Sequence, residues 1–319
     1  MTLLGGTAAA WPVVARAQQQ PLPTVGFLSG TEFNPMEVDN VKAGLAAAGY
    51  RDGENVHVAY LSAKGQYELL PSLAKDLARR QVAVIVAIGG TAPATAAKSA
   101  TTGIPIVFAA GGDPVKLGLV QSLNRPGGFV TGVSFLVNSL GAKRVEMLHL
   151  LVPSASLIGL LVNPDNPNRV SEAGEIAAAS KALGLALHIE AAAKEADIAA
   201  AFSAFSQQHI GAFTVVADAY LRSREDPIVA LAAKYAMPAV YPREEYATAG
   251  GLMSYAPRPA EAYRIAGSYV ARILKGEQPS ELPVQQSDKV YLTINLKTAK
   301  ALGLAVPAQL LALADKVIE

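Results

Sequence analysis

Short runs of β-branched and aliphatic residues alternate with Ala-rich stretches of helical period along most of the chain. That alternation is the pattern of strand–helix–strand units on a parallel sheet. Thr24–Leu28 reads as a strand ending in Ser29-Gly30-Thr31, Val38–Ala48 as a helix stopped by Gly49, and Val56–Tyr60 as the next strand. Leu69–Arg80 predicts a helix, and Val82–Ile88 a buried strand running into Gly89-Gly90-Thr91-Ala92. A helix over Thr95–Thr101 and a strand over Ile104–Phe108, ending in Gly111-Gly112-Asp113-Pro114, complete the set.

The second half repeats the order. Leu157–Val162 predicts a strand ending in Asn163-Pro164-Asp165-Asn166-Pro167, followed by a helix over Glu175–Leu183 and a strand over Leu185–Glu190. A helix over Ile198–Gln208 leads to the strand Ala212–Val216, which opens into Asp218-Ala219-Tyr220. A helix over Pro227–Tyr235 leads to Met237–Tyr241 and then Pro242-Arg243-Glu244. Ile104-Pro105-Ile106-Val107 and Met237-Pro238-Ala239-Val240 occupy equivalent places, so one arrangement has been used twice.

The predicted fold is therefore α/β, with two doubly wound, Rossmann-like lobes joined by three hinge crossings. The crossings are placed at Thr131–Phe135, Gly251–Tyr255 and Pro283–Gln286, with one amphipathic helix over Ala260–Leu274. That assigns residues 22–132 plus 256–283 to the first lobe and 134–254 plus 286–319 to the second. Ligands of such sheets bind outside the carboxyl ends of the strands, at the switch in strand order. The loops after the strands are where binding chemistry is expected, and extended hinges allow the lobes to open and close.

Ahead of the first strand, Leu3–Val14 is a mildly apolar run followed by Ala15-Arg16-Ala17. This is the core and A-x-A cleavage pattern of a secretory signal, too short to span a bilayer, which takes ~20 residues. No Lys or Arg precedes the run, so the true start is expected upstream of Met1. The expectation is a periplasmic chain cleaved near Ala17.

Composition narrows the function classes. A chain of 319 residues with 51% hydrophobic content is ample for two cores. A net charge of +1 supplies no field to gather nucleic acid or anionic lipid. Cysteine is absent, which removes disulfides, thiolate metal sites and thiol nucleophiles together. The four histidines, His57, His149, His188 and His209, show no metal-binding spacing. No metal and no cofactor is expected.

The strand-end loops carry the remaining candidates. Gly89-Gly90-Thr91-Ala92-Pro93 opens a helix, and its free amides suit a carboxylate or phosphate; an ordinary tight turn is the plainer account. It matches neither a Walker A nor a G-x-G-x-x-G sequence. Asp113 and Asp218 follow equivalent strands, and a carboxylate from each lobe would hold an ammonium group, capping being the alternative use. Ser29, Thr31 and Asn163 offer neutral donors and acceptors, and Ser134 lies in a crossing. Phe33, Phe135, Tyr220 and Tyr255 offer ring faces. No G-x-S-x-G elbow or strand-end His supports nucleophilic catalysis. Glu244 and Glu245 beside Arg243 form an acid/base candidate or, more simply, a solvated turn.

Taken together, "RDGENVHVAY", "LARRQVAVIVAIGG", "TTGIPIVFAAGGDPVKLGLVQSLNRPGGFVTGVSFL", "LVNPDNPN", "IVALAAKYAMPAVYPREEYATAGGLMSYA", "RILKGEQPSELPVQQ" and "LTINLKTAKALGL" resemble the substrate-binding components of ABC importers of type I periplasmic-binding fold. The likeness is greatest to tryptophan/tyrosine-type amino-acid binders and covers nearly all of residues 22–319. It implies ligand capture rather than turnover, by Gly30, Thr31, Gly90, Thr91, Ala92, Gly112 and Asp113 of one lobe and Asn163, Asp218, Tyr220 and Arg243 of the other. It also implies a monomer that delivers its ligand to a membrane permease with its ATPase. A periplasmic enzyme on a small carboxylate, and a sensor feeding a membrane receptor, are the alternative readings.

Overall fold

A computed structural model describes residues 21–135, 140–287 and 289–319. The expected export signal lies outside the described residues. In the first lobe, β1 (Thr24–Ser29), β2 (His57–Ser62), β3 (Val84–Ile88), β4 (Ile106–Ala110) and β5 (Val130–Ser134) alternate with α1 (Pro35–Ala47), α2 (Leu70–Arg79) and α3 (Ala92–Ala100). The second lobe repeats this. It has α4 (Gly141–Leu151), β6 (Leu157–Val162), α5 (Arg169–Ala182), β7 (Ala186–Ala191), α6 (Glu195–Gln207) and β8 (Ala212–Val215). The short α7 (Ala219–Arg222), α8 (Glu225–Lys234), β9 (Ala239–Tyr241), α9 (Glu244–Thr248) and β10 (Met253–Pro257) follow. Helix α10 (Ala260–Leu274) and β11 (Gln285–Gln286) return to the first lobe. β12 (Val290–Asn295), α11 (Leu296–Ala301), α12 (Ala308–Leu313) and β13 (Lys316–Ile318) close the chain in the second.

The sheets run β11-β5-β4-β3-β1-β2 and β13-β12-β10-β9-β8-β6-β7. Within each, the strands of the repeated unit are parallel and take the doubly wound order 2-1-3-4-5, with the switch between β1 and β3 and between β6 and β8. β12 pairs antiparallel with β10, and β13 lies parallel to β12, so these two strands run against the rest of the second sheet. Strands β3, β4 and β5 are buried from end to end, as a parallel sheet covered on both faces requires.

The crossings fall slightly outside the expected boundaries because strand pairing continues up to them. Val133 and Ser134 still pair with Ala109 and Ala110, and Gln285–Gln286 extend that same first sheet. Ala256 and Pro257 remain in the second sheet, opposite Tyr291 and Val290. Helix α10 then crosses to pack on α1. The two backbones approach so closely there that a Cβ at Gly44 would strike the Arg264 carbonyl, and one at Gly267 the Val41 carbonyl.

Candidate functional site

The switch points of the two sheets face each other across a cavity of about 60 Å³. From the first lobe, Gly90, Thr91, Ala92, Ala110, Gly111 and Phe135 reach it, with Glu37 and Tyr67 at its sides and Tyr263 from α10. From the second come Asn166, Asn168, Ala217, Asp218, Ala219, Arg222 and Arg243.

Gly90 has φ +110°, a backbone that a side chain strains, and it lifts the chain into the start of α3. The amide of Ala92 at the head of α3 has no acceptor within the helix, and Pro93 beside it carries no N–H. Thr91 does not cap α3 with its side chain. Its hydroxyl accepts instead from Asn168 Nδ2 at 2.6 Å, across the cleft.

Asp218 caps α7. Its Oδ1 accepts from the Leu221 amide at 2.9 Å and from Asn163 Nδ2 at 3.1 Å. Its Oδ2 accepts from the Tyr67 hydroxyl of the other lobe at 3.3 Å. Desolvation raises its pKa, partly offset by these hydrogen bonds. Tyr67 Oη also accepts from the Tyr220 amide at 3.2 Å, and burial beside Asp218 pushes its own pKa up. A fourth contact across the cleft joins Arg222 to Glu37 at 2.6 Å, both largely buried. Arg243 is held by Glu245 at 2.7 Å.

Six of the residues singled out from sequence therefore meet at the cavity: Gly90, Thr91, Ala92, Phe135, Asp218 and Arg243. Phe135 stands edge-on to Tyr263, ring centroids 5.4 Å apart. Asn163 lies one shell behind, bracing Asp218. The others are away from the cavity wall. Ser29 Oγ donates to the Thr31 carbonyl and accepts from the Thr31 amide, so Ser29, Gly30 and Thr31 form a turn closed on itself. Asp113 accepts from the Val115 and Lys116 amides and is spent as a turn cap. The carboxylate that the first lobe brings to the cleft is Glu37, not Asp113. Gly112 packs against Asn168 and accepts from the Ser134 hydroxyl. The Tyr220 ring is buried beneath the Arg224 guanidinium, and Tyr255 packs into the second-lobe core. Glu244 and Glu245 are engaged by Arg258 and Lys316, and by Arg243.

Glu37, Tyr67, Asn166, Asn168, Arg222 and Tyr263 were not singled out from sequence. Asn166 and Asn168 belong to the segment "NPDNPN", which followed a predicted strand and carried a usable signal. Arg222 follows Asp218-Ala219-Tyr220, which reads as a loop in sequence but forms a helical turn because Asp218 supplies the cap. Among the described residues, no group of three or more His, Asp or Glu is placed to hold a metal, and no helix is long and apolar enough to cross a membrane.

The family model for ABC transporter substrate binding proteins matches residues 30–318. The chain belongs to this family. Its members' small-molecule ligands and ABC transporter partners follow for it, and the family is typically extracytoplasmic. This substrate-binding protein is 27% identical over 271 residues to a tyrosine-binding protein of Clostridioides difficile, covering 84% of this chain and 77% of that one. It is 25% identical to an ABC domain from Streptococcus pneumonia solved in complex with L-Trp, with a TM-score of 0.84 over 93% of this chain and all of the other. A ligand-free, open substrate-binding protein from Clostridium difficile is also 25% identical over 93% of this chain and 99% of that one, but its TM-score is 0.64. Among the described residues of this substrate-binding protein, four direct polar contacts span the cleft.

Proposed function

We propose that this substrate-binding protein captures a free α-amino acid with an aromatic side chain. The observation that carries the reading is the opposition of two groups across one closed cleft. The amides at the head of α3 stand on one wall and the Asp218 carboxylate on the other. The α-carboxylate of the ligand lies against Gly90, Thr91 and Ala92, where the helix terminus favours an anion. The ammonium group meets Asp218, whose carboxylate it keeps ionised. Phe135 and Tyr263 flank the side chain. The names of the relatives, one for tyrosine and one solved with L-Trp, support the aromatic class.

As closed here, the cavity of about 60 Å³ is well below the ~150 Å³ that takes benzene. The lobes therefore part to admit such a ligand and reclose less tightly around it. A ligand shifts that equilibrium only by its differential affinity for the closed form. In the full reading the chain is exported by the signal ending near Ala17 and works as a monomer in the periplasm. It hands its ligand to a permease driven by an ATPase, without cofactor and without chemical turnover.

A thermal-shift screen of residues 18–319 against amino acids, organic acids and sugars, confirmed by calorimetry, tests this. L-Tyrosine or L-tryptophan at ~1,000 times its dissociation constant should stabilise by about 4 kcal/mol. Their des-amino analogues and methyl esters should bind at least tenfold more weakly. A sugar as the sole strong hit, or a product formed during long incubation, overturns the reading.

A further inference from the structure

The backbone of Ala217, one residue before Asp218, is held at both its N–H and its C=O, and so in the peptide groups on either side of it. Its N–H donates to both carboxylate oxygens of Glu172, each at 3.1 Å. Its carbonyl accepts from Asn166 Nδ2 at 3.0 Å. Glu172, in the first turn of α5, is paired with Arg144 of α4, and both side chains are wholly buried. Among the described residues, Nε and Nη1 of Arg144 have no hydrogen-bond partner, and Glu172 is the carboxylate that hydrogen-bonds this cation. Neither residue lines the cavity.

Such a pair is a poor stabilising device. Burying two charges costs about as much as their attraction returns, and well-packed apolar replacements are often neutral or better. A positional role fits the geometry more closely. Leu221, Asn163 and Tyr67 hold the Asp218 carboxylate itself, while Asp218 leaves β8 through Ala217, so the grip on Ala217 sets where its backbone enters the cleft.

We propose that Glu172 is a positioning residue for Asp218, fixing the Ala217 backbone from which Asp218 projects, and that Arg144 holds the Glu172 carboxylate in place. The inference rests on the amino-acid reading above, in which Asp218 receives the ammonium group.

The test compares Arg144→Met/Glu172→Leu, which removes the grip, with Arg144→Met/Glu172→Gln, whose amide carbonyl still accepts from Ala217. Calorimetry with L-tyrosine and its des-amino analogue gives one readout, and hydrogen exchange at Ala217–Leu221 in the ligand-free protein gives another. In the leucine variant, L-tyrosine affinity should fall about tenfold, one well-made hydrogen bond in magnitude, while the analogue is unaffected. Exchange over Ala217–Leu221 should rise about tenfold, and the glutamine variant should restore most of both. Equal losses for the two ligands, or unchanged exchange, overturn the positioning role. If Asp218→Asn leaves the ratio of the two affinities unchanged, or wild type does not bind L-tyrosine, the amino-acid reading fails instead, and exchange alone judges the grip. Should the leucine variant not fold, Glu172→Gln alone, which weakens the acceptor while keeping its shape, takes its place in the exchange measurement, and unchanged exchange at Ala217–Leu221 again overturns the role.

Discussion

The first lobe meets the cleft with Gly90, Ala92, Ala110 and Gly111, so much of its surface is backbone, and Glu37 is its one ionisable carboxylate there. The second lobe meets it with the polar or charged side chains of Asp218, Arg222, Arg243, Asn166 and Asn168, beside Ala217 and Ala219. Both walls stand at the same place in the same sheet order, so topology alone does not set their chemistry. The difference lies in what each loop does next. In the first lobe, the loop after β3 turns through glycines into a helix of nine residues, leaving amides as the available donors. In the second, Asp218 begins a helix of four residues, and charged side chains take over.

The strongest way to break this contrast is in the second lobe's interior. Glu172→Ala strands the Arg144 cation and should cost about 3–5 kcal/mol in urea unfolding, with the Arg144→Met/Glu172→Leu pair recovering most of it. A loss below 1 kcal/mol would mean that water or another group reaches Arg144.

At the cleft itself, Asp218→Ala should weaken L-tyrosine by about 2–4 kcal/mol, because a charge partner is removed where water is excluded. Calorimetry checks this, and an unchanged affinity would sink the assignment of the ammonium group. Gly90→Ala probes the opposite wall. The added Cβ lies 3.1 Å from the Ala219 Cβ of the other lobe and takes on a φ of +110°. Strain at that φ should lower stability by about 1–3 kcal/mol in urea unfolding, and the contact with Ala219 should weaken ligand affinity by at least as much. A larger loss of stability than of affinity would show that the turn matters to folding and not to closure.

The smallest effect is a pH dependence. Desolvation raises Glu245, but Arg243 outweighs it and holds the carboxyl at about 2. A carboxyl lower in the folded than in the unfolded state stabilises above its unfolded pKa, here about 4.5, and that stability is lost as pH falls toward 2. Urea midpoints at pH 7, 4 and 2.5 should therefore fall more steeply for wild type than for Glu245→Gln. Parallel curves would show that the pair is fully screened by solvent.

Much of the fold was legible in the sequence. The strand Leu157–Val162 and the helix Ala260–Leu274 match the structure at both ends, because long apolar runs and a strong helical period leave few alternatives. Helices α4, α7, α9, α11 and α12 and strands β12 and β13 were missed. Of these, α7 and α9 are shorter than six residues, too short to show a period, and α4 follows directly on a crossing. The site was half legible. A rule about strand ends finds Gly90, Thr91, Ala92 and Asp218, but it also selects Asp113 and Tyr220, which do not line the cavity. It cannot reach Glu37 or Tyr263, which sit in helices.

What the chain determines by itself is the repeated alternation, the two lobes and the set of loops at the carboxyl ends of the strands. These follow from local periodicity and from the rule that apolar faces must be covered. Tertiary structure alone decides which of those loop residues face a ligand. Asp113 and Asp218, read from sequence as following equivalent strands, in fact follow β4 and β8, and β8 is the counterpart of β3; one accepts amides of its own turn while the other is turned into the cleft by Asn163, Tyr67 and the grip on Ala217. Those partners lie 45 to 151 residues away, at separations over which no local pattern carries information.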